Sequence, residues 1–161
     1  MTIPSKPGAS VLITRLSRQI YRVATEDVLG MRMKVFVTLN YLRDYSGITQ
    51  QGLSDVIGID ANNCVLMLNA TETLGYSRRV RDPRDRRRHI VEITPEGRDA
   101  LKRAERGMES VEEDLLGPLS DEERATLRSL LARALENEDV PPRDEPDLTA
   151  AAAAASAPAR D

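Results

Sequence analysis

The sequence predicts a mainly α-helical protein with one small β-hairpin, and three observations predict it. Six stretches, over 10–24, 33–45, 50–57, 61–74, 95–115 and 121–135, carry apolar residues at helical spacing or run apolar at helical length. One pair of short strand-like runs, 76–80 and 89–93, flanks a loop containing Asp82-Pro83. Glycines and capping residues stand where those helices must stop and start.

After a Pro/Gly-containing arm over 1–9, Ser10 is placed to cap a first helix in which Ile13, Leu16, Ile20, Val23 and Ala24 form one apolar stripe. Gly30 interrupts it. The run over 33–45 holds Val35, Phe36, Val37, Leu39, Tyr41 and Leu42, apolar nearly all round, as a central buried helix is. Ser46-Gly47 ends that run, and Thr49 caps a short helix over 50–57 with Leu53, Val56 and Ile57 facing inward. Gly58 supplies a break and Asp60 a cap for the helix over 61–74. Two short helices joined by a tight glycine-containing turn make the helix-turn-helix pattern, whose second helix enters the major groove of DNA.

Gly75 stops that recognition helix, and the hairpin that follows reads as a wing. Thr94-Pro95-Glu96 then starts a long helix compactly: a cap, a proline where its missing donor is harmless, and an acid at the positive end of the dipole. Leu101, Ala104, Met108, Val111 and Leu115 give it a packing face that runs to Gly117-Pro118. Ser120-Asp121-Glu122-Glu123 is a capping box opening a last helix with Leu127, Leu130, Leu131, Ala134 and Leu135 on one face. The first and last two helices exceed what a small winged-helix core needs, so their stripes predict a homodimer. From 137 on, acid, proline and alanine without apolar periodicity predict disorder.

The charge is concentrated. Residues 78–88 hold seven arginines and two aspartates, a net of +5, so a 161-residue chain of formal charge −3 carries −8 elsewhere. A one-signed run on a hairpin after a helix-turn-helix is the footprint that phosphate backbones require. The predicted contacts are Arg78, Arg84, Arg86, Arg87 and Arg88 on the wing, with Arg84 and Arg86 at a tip suited to a narrow minor groove. Asp85 is expected to buttress the wing through a salt bridge to Arg87. On the recognition helix the candidates are Asn62, Asn63, Val65, Leu66 and Asn69.

Other classes find little support. A single cysteine, Cys64, excludes an intrachain disulfide, and with one histidine, His89, no Cys/His zinc cluster forms, so neither metal nor cofactor is expected. Cys64 is predicted to be a buried apolar side chain. The glycines at 47, 52 and 58 make no phosphate loop, since nothing ends in Gly-Lys-Ser/Thr. His89 has no nucleophile arrayed with it, so an enzyme is not expected. The first eight residues lack the apolar region of a secretory signal and no run approaches the roughly 18 to 20 apolar residues of a membrane span. A reducing cytoplasm fits.

Asp82-Pro83-Arg84-Asp85-Arg86-Arg87-Arg88, followed by Ile93-Thr94-Pro95-Glu96-Gly97, resembles the wing signature D-P-x-D-R-R running into L-T-x-x-G of the MarR family of winged-helix transcriptional regulators. Ile48-Thr49-Gln50, Gly58-Ile59-Asp60, Glu72 and Gly75 add to a likeness that covers 11–135. The resemblance implies a homodimer on double-stranded DNA, each recognition helix in a major groove and each wing in the adjacent minor groove. It implies five segments: a flexible arm over 1–9, a helical dimerisation region over 10–30 and 94–136, a winged helix-turn-helix over 31–93, and a disordered tail over 137–161. The implied function is a sequence-specific repressor released from a pseudo-palindromic operator by a small molecule, of which aromatic acids are a common class in the family, or by a redox signal. Such an acid would sit in the crevice between dimer helices and DNA-binding lobe, with Arg15, then Arg18, on its carboxylate and Met33, Phe36 and Asn40 as walls.

Two departures bear on specificity. Many relatives place a small polar residue and an arginine in mid recognition helix, where this chain has Val65 and Leu66; with Asn62, Asn63 and Asn69 instead, readout leans toward A·T and methyl contacts. Gly52 replaces an acid near the start of the third helix. The alternative function is a winged-helix protein-interaction or architectural module with little base-specific readout.

Overall fold

The structure, a computed structural model, describes residues 6–136. The tail expected over 137–161 and the first five residues of the arm lie outside it. Contacts divide the chain into two units, one ending at Ser120 and the other beginning at Asp121. The first contains helices α1 (Ala9–Val23), α2 (Glu26–Leu29), α3 (Met33–Asp44), α4 (Gln50–Ile57), α5 (Ala61–Thr73) and α6 (Pro95–Leu115), with strands β1 (Ile48–Thr49), β2 (Ser77–Arg81) and β3 (His89–Ile93). The second contains α7 (Asp121–Leu135).

Helix limits follow local chemistry closely. Thr49, Asp60 and Thr94 each cap the helix that follows by accepting from the amide three residues on, at Gly52, Asn63 and Gly97. Gly30, Gly58 and Gly75 end elements at φ of 69°, 73° and 74°, a conformation that carries no penalty only for glycine. Two expectations differ. The first helix is capped by Gly8 without a side-chain hydrogen bond, and Ser10 lies inside it, its carbonyl accepting from the Thr14 hydroxyl at 2.9 Å. Ala9, expected in the arm, is therefore helical. Gly30 closes a separate short helix, α2, because the first has already ended at Ala24.

The core of the first unit is aliphatic: Leu29, Val35, Leu39, Leu42, Leu53, Leu68, Val91, Leu101, Ala104 and Val111 are each at most 2% exposed. α3 lies at its centre, against α5, α6 and β3. On α4, Ser54 is buried and Val56 is 41% exposed, contrary to the inward placement of Val56. The two flank the Leu53–Ile57 axis by similar angles, so periodicity cannot choose between them. The turn decides: the Ser54 hydroxyl donates to the Ile59 carbonyl at 2.6 Å beyond Gly58.

The sheet is antiparallel in the order β1-β3-β2. β2 and β3 pair from Ser77↔Ile93 to Arg81↔His89, one residue later at β2 than the apolar run suggests. β1 pairs Ile48↔Val91 and Thr49↔Ile90, and at two residues it is too short to show a period. Two glycines allow α6 to pack closely: a Cβ on Gly97 would stand 2.1 Å from the Tyr76 carbonyl oxygen, and one on Gly107 2.3 Å from that of Val28.

α1 buries none of its residues; Val11, Leu12, Ile13 and Tyr21 are 43 to 57% exposed. α7, considered by itself, likewise has no buried residue, and Leu130 and Leu135 are 53% and 82% exposed. Among the described residues no helix is long and apolar enough to cross a membrane.

Candidate nucleic-acid interface

Asp60 fixes the start of α5. One carboxylate oxygen accepts from the Asn63 backbone amide at 2.9 Å and the other from the Asn63 side-chain nitrogen at 2.6 Å. These hydrogen bonds, the backbone one foremost, hold the Asp60 carboxyl below its ordinary range. Asn63 is thus committed to the cap. Cys64, Met67, Leu68 and Thr71 turn inward, leaving Asn62, Leu66, Asn69 and Thr73 along the exposed face, with Val65 half-buried beside them.

Cys64 is fully buried, its Sγ 3.5 Å from the Gln50 carbonyl oxygen, and burial pushes its thiol up more than nearby Arg79 pulls it down.

Several hydrogen bonds fasten the wing to this helix. The Thr71 and Ser77 hydroxyls meet at 2.6 Å in the interior, and the Thr94 hydroxyl donates to the Gly75 carbonyl at 2.7 Å while also capping α6. Arg79 is the largest tie. It forms an ion pair with Glu72, approaches the Asn69 side-chain oxygen at 3.3 Å and reaches Gln50 on α4 at 3.4 Å. In the sequence Arg79 stands out only as part of the charge run. Strand alternation held the signal, because residues 77 and 79 share a face of β2 and Ser77 packs on α5.

Beyond the strands the loop is held by its two aspartates. The Asp82 carboxylate accepts from the Arg84 amide at 2.9 Å, and that of Asp85 from the Arg87 amide at 3.0 Å. The Asp82 amide and Arg88 carbonyl close the loop at 2.9 Å. Asp85 therefore does buttress the wing, through the Arg87 backbone rather than its guanidinium. A short carboxylate two residues ahead of an amide is already at hydrogen-bonding range, whereas a guanidinium must fold back and lose freedom to reach it.

The arginine run divides accordingly. Arg84, Arg86, Arg87 and Arg88 are exposed at the loop, together with Arg81 and His89 at its base. Arg78 lies outward but pairs with Glu92 across the ladder at 3.1 Å. An exposed, uncharged helix face, together with a cluster of guanidiniums that have no partner among the described residues, is suited to a duplex, with neutral groups toward base edges and cations toward phosphates.

The five ligand candidates occupy different settings. Arg15 and Arg18 are exposed on α1, and Met33 and Phe36 pack half-buried against the core from α3. The Asn40 amide is engaged at both ends, donating to the Phe36 carbonyl at 2.9 Å and accepting from Arg43 at 2.9 Å. A cleft of about 240 Å³ lies between α2, Tyr76 and α6, lined by Asp27, Met31 and Arg103 among others but by none of the five.

No protein-family model matches the chain. It is 33% identical over 116 residues, 72% of its length, to the putative transcriptional regulatory protein for the hcr operon of Thauera aromatica, spanning 69% of that protein. Among solved structures it superposes on apo wild-type MarR from Escherichia coli with a TM-score of 0.69 at 23% identity, covering 81% of this chain and 99% of that one. The repressor CouR bound to a 23-mer DNA duplex matches with a TM-score of 0.67 at 29% identity, covering 79% and 92%. CouR from Rhodococcus jostii RHA1 bound to p-coumaroyl-CoA also matches, with a TM-score of 0.67 at 21% identity over 81% and 94%.

Proposed function

The chain belongs to the MarR family of winged-helix transcriptional regulators, and from that membership we propose that it acts as a homodimeric repressor, released from its operator by a small aromatic acid. The observation that carries the DNA-bound form is the combination of an uncharged α5 face, Asn62, Val65, Leu66 and Asn69, with the exposed guanidiniums of Arg84, Arg86, Arg87 and Arg88, which have no partner among the described residues. The helix enters a major groove and the wing reaches the adjacent minor groove. Asn63 serves the helix cap rather than a base, and Arg78 contributes less than the loop arginines because Glu92 already neutralises it.

A dimer is supported by the apolar side chains that α1 and α7 each leave exposed among the described residues, which water penalises at roughly 25 cal/mol per Å². The helical dimerisation region spans 10–30 and 94–136, flanking the winged helix-turn-helix of 31–93. Two-fold symmetry then requires a pseudo-palindromic site with half-sites about one helical turn apart. CouR, whose structure holds p-coumaroyl-CoA, shares with this effector class an aromatic acyl group but not the free carboxylate. In this chain an aromatic carboxylate would pair with Arg15, then Arg18, against Met33 and Phe36. With both ends of the Asn40 amide engaged, Asn40 supplies shape there rather than a hydrogen bond.

Gel shift of the DNA upstream of the chain's own gene, against scrambled competitor, tests the reading together with solution mass. Retention of one duplex by a species of twice the chain mass is the expected result. Equal retention of scrambled DNA points to an architectural module, and no retention overturns DNA binding. Calorimetry with a panel of aromatic carboxylates tests the effector; absence of heat and of DNA release across the panel would remove it.

A further inference from the structure

Leu66 is 60% exposed at the middle of α5. A lone exposed leucine is ordinary on a protein surface, but the setting of this one is not. Its solvent-facing neighbours along the helix are the polar Asn62, Asn69 and Thr73, and residues 61–71 include no charged side chain. Arginine on guanine, the commonest specific base contact, therefore has no donor from this stretch.

The amides are also sorted. The Asn63 side-chain nitrogen is held by Asp60, and the Asn69 oxygen lies toward Arg79, so the paired donor and acceptor that adenine requires are left to Asn62. Asn62 and Asn69 lie seven residues apart, roughly 10 Å along the axis at about 1.5 Å per residue, or about three base-pair steps of about 3.4 Å. Leu66 is between them. Thymine alone among the bases presents an apolar group on its major-groove edge, its 5-methyl.

We propose that Leu66 is a specificity-determining residue that reads the 5-methyl group of a thymine flanked by the contacts of Asn62 and Asn69. The inference rests on α5 being the helix that enters the groove. It assigns the centre of each half-site to an apolar contact, which removes both the leucine and the methyl from water.

The test uses the full chain and duplexes enriched by it from a randomised pool. Each thymine of the enriched half-site is replaced in turn by deoxyuridine, which deletes only the methyl, and affinity is measured by fluorescence anisotropy for the unaltered chain, Leu66→Ala and Asn62→Ala. One thymine should emerge whose methyl, when removed, weakens the unaltered chain about fourfold per half-site, and about fifteenfold when both half-sites of a dimer are changed. Leu66→Ala should be indifferent to that substitution, while Asn62→Ala binds more weakly yet keeps the full methyl effect. The inference is overturned if no thymine methyl matters, or if the same loss persists in Leu66→Ala. Enrichment of no sequence by a chain that still binds duplexes also overturns it while leaving DNA binding intact. Failure to bind any duplex would instead defeat the parent reading along with it.

Discussion

Arg79 on the first wing strand and Glu72 in the last turn of the recognition helix form an ion pair in which the two side chains are only 29% and 27% exposed. The same guanidinium reaches Asn69 and Gln50, so one side chain sets the wing relative to α4 and α5. Arginine suits this because its planar fork serves several acceptors at once, which the point charge of lysine does not.

Arg79→Met should accordingly destabilise the fold by about 1 to 2 kcal/mol, above the usual surface pair because Glu72 is left partly buried without its counter-charge. Arg79→Lys should recover only part of that loss. Urea titration measures both, and an Arg79→Met midpoint equal to that of the unaltered chain would refute the clamp.

The loop arginines should behave differently. Replacing Arg84 and Arg86 by alanine should leave stability unchanged and flatten the salt dependence of duplex binding by about one unit per lost phosphate contact. Arg78→Ala, whose charge is already met by Glu92, should flatten it less. Equal slopes for all of these proteins would remove the wing from the interface.

Gly97→Ala should be among the most damaging single substitutions in the chain. Its methyl would overlap the Tyr76 carbonyl, forcing α6 away from the base of the wing at a cost of about 1 to 3 kcal/mol or more. Gly107→Ala, facing the Val28 carbonyl, should act alike on the α2–α6 contact. Thermal denaturation gives the answer, and an unchanged melting temperature for Gly97→Ala would contradict the close approach.

Cys64 should be inert. Burial raises its thiol pKa, so the folded state disfavours the thiolate. The sign is that of an acid with a raised pKa: the associated stability is intact below the unfolded thiol pKa and declines as pH rises through the folded one. A thiol reagent at mildly alkaline pH should label Cys64 only after denaturant is added. Rapid labelling of the native chain would argue for an exposed thiolate instead.

Much of the fold was legible in the chain itself. Caps at Thr49, Asp60 and Thr94 and stops at Gly58 and Gly75 act within a few residues, so local chemistry suffices to place α4, α5 and the start of α6. The wing was legible for the same reason, since Asp82 and Asp85 act on amides two residues away. Side-chain direction at a helix margin was not, as Ser54 and Val56 show, and neither was a two-residue strand that exists only by pairing with β3.

What the sequence determined alone is therefore the caps of α4, α5 and α6, the glycine stops at Gly58 and Gly75, the hairpin, and the concentration of seven arginines within 78–88. Only the tertiary structure decided how those arginines divide, with Arg79 drawn inward, Arg78 paired across the ladder and Arg84, Arg86, Arg87 and Arg88 exposed. The same holds for the asparagines, one spent on a cap, one turned toward Arg79 and one open. A residue's type sets what it can bond to. Which bond it makes depends on the acceptors that folding brings within about 3.5 Å, and for Arg79 these come from residues as far along the chain as Gln50, at 3.4 Å.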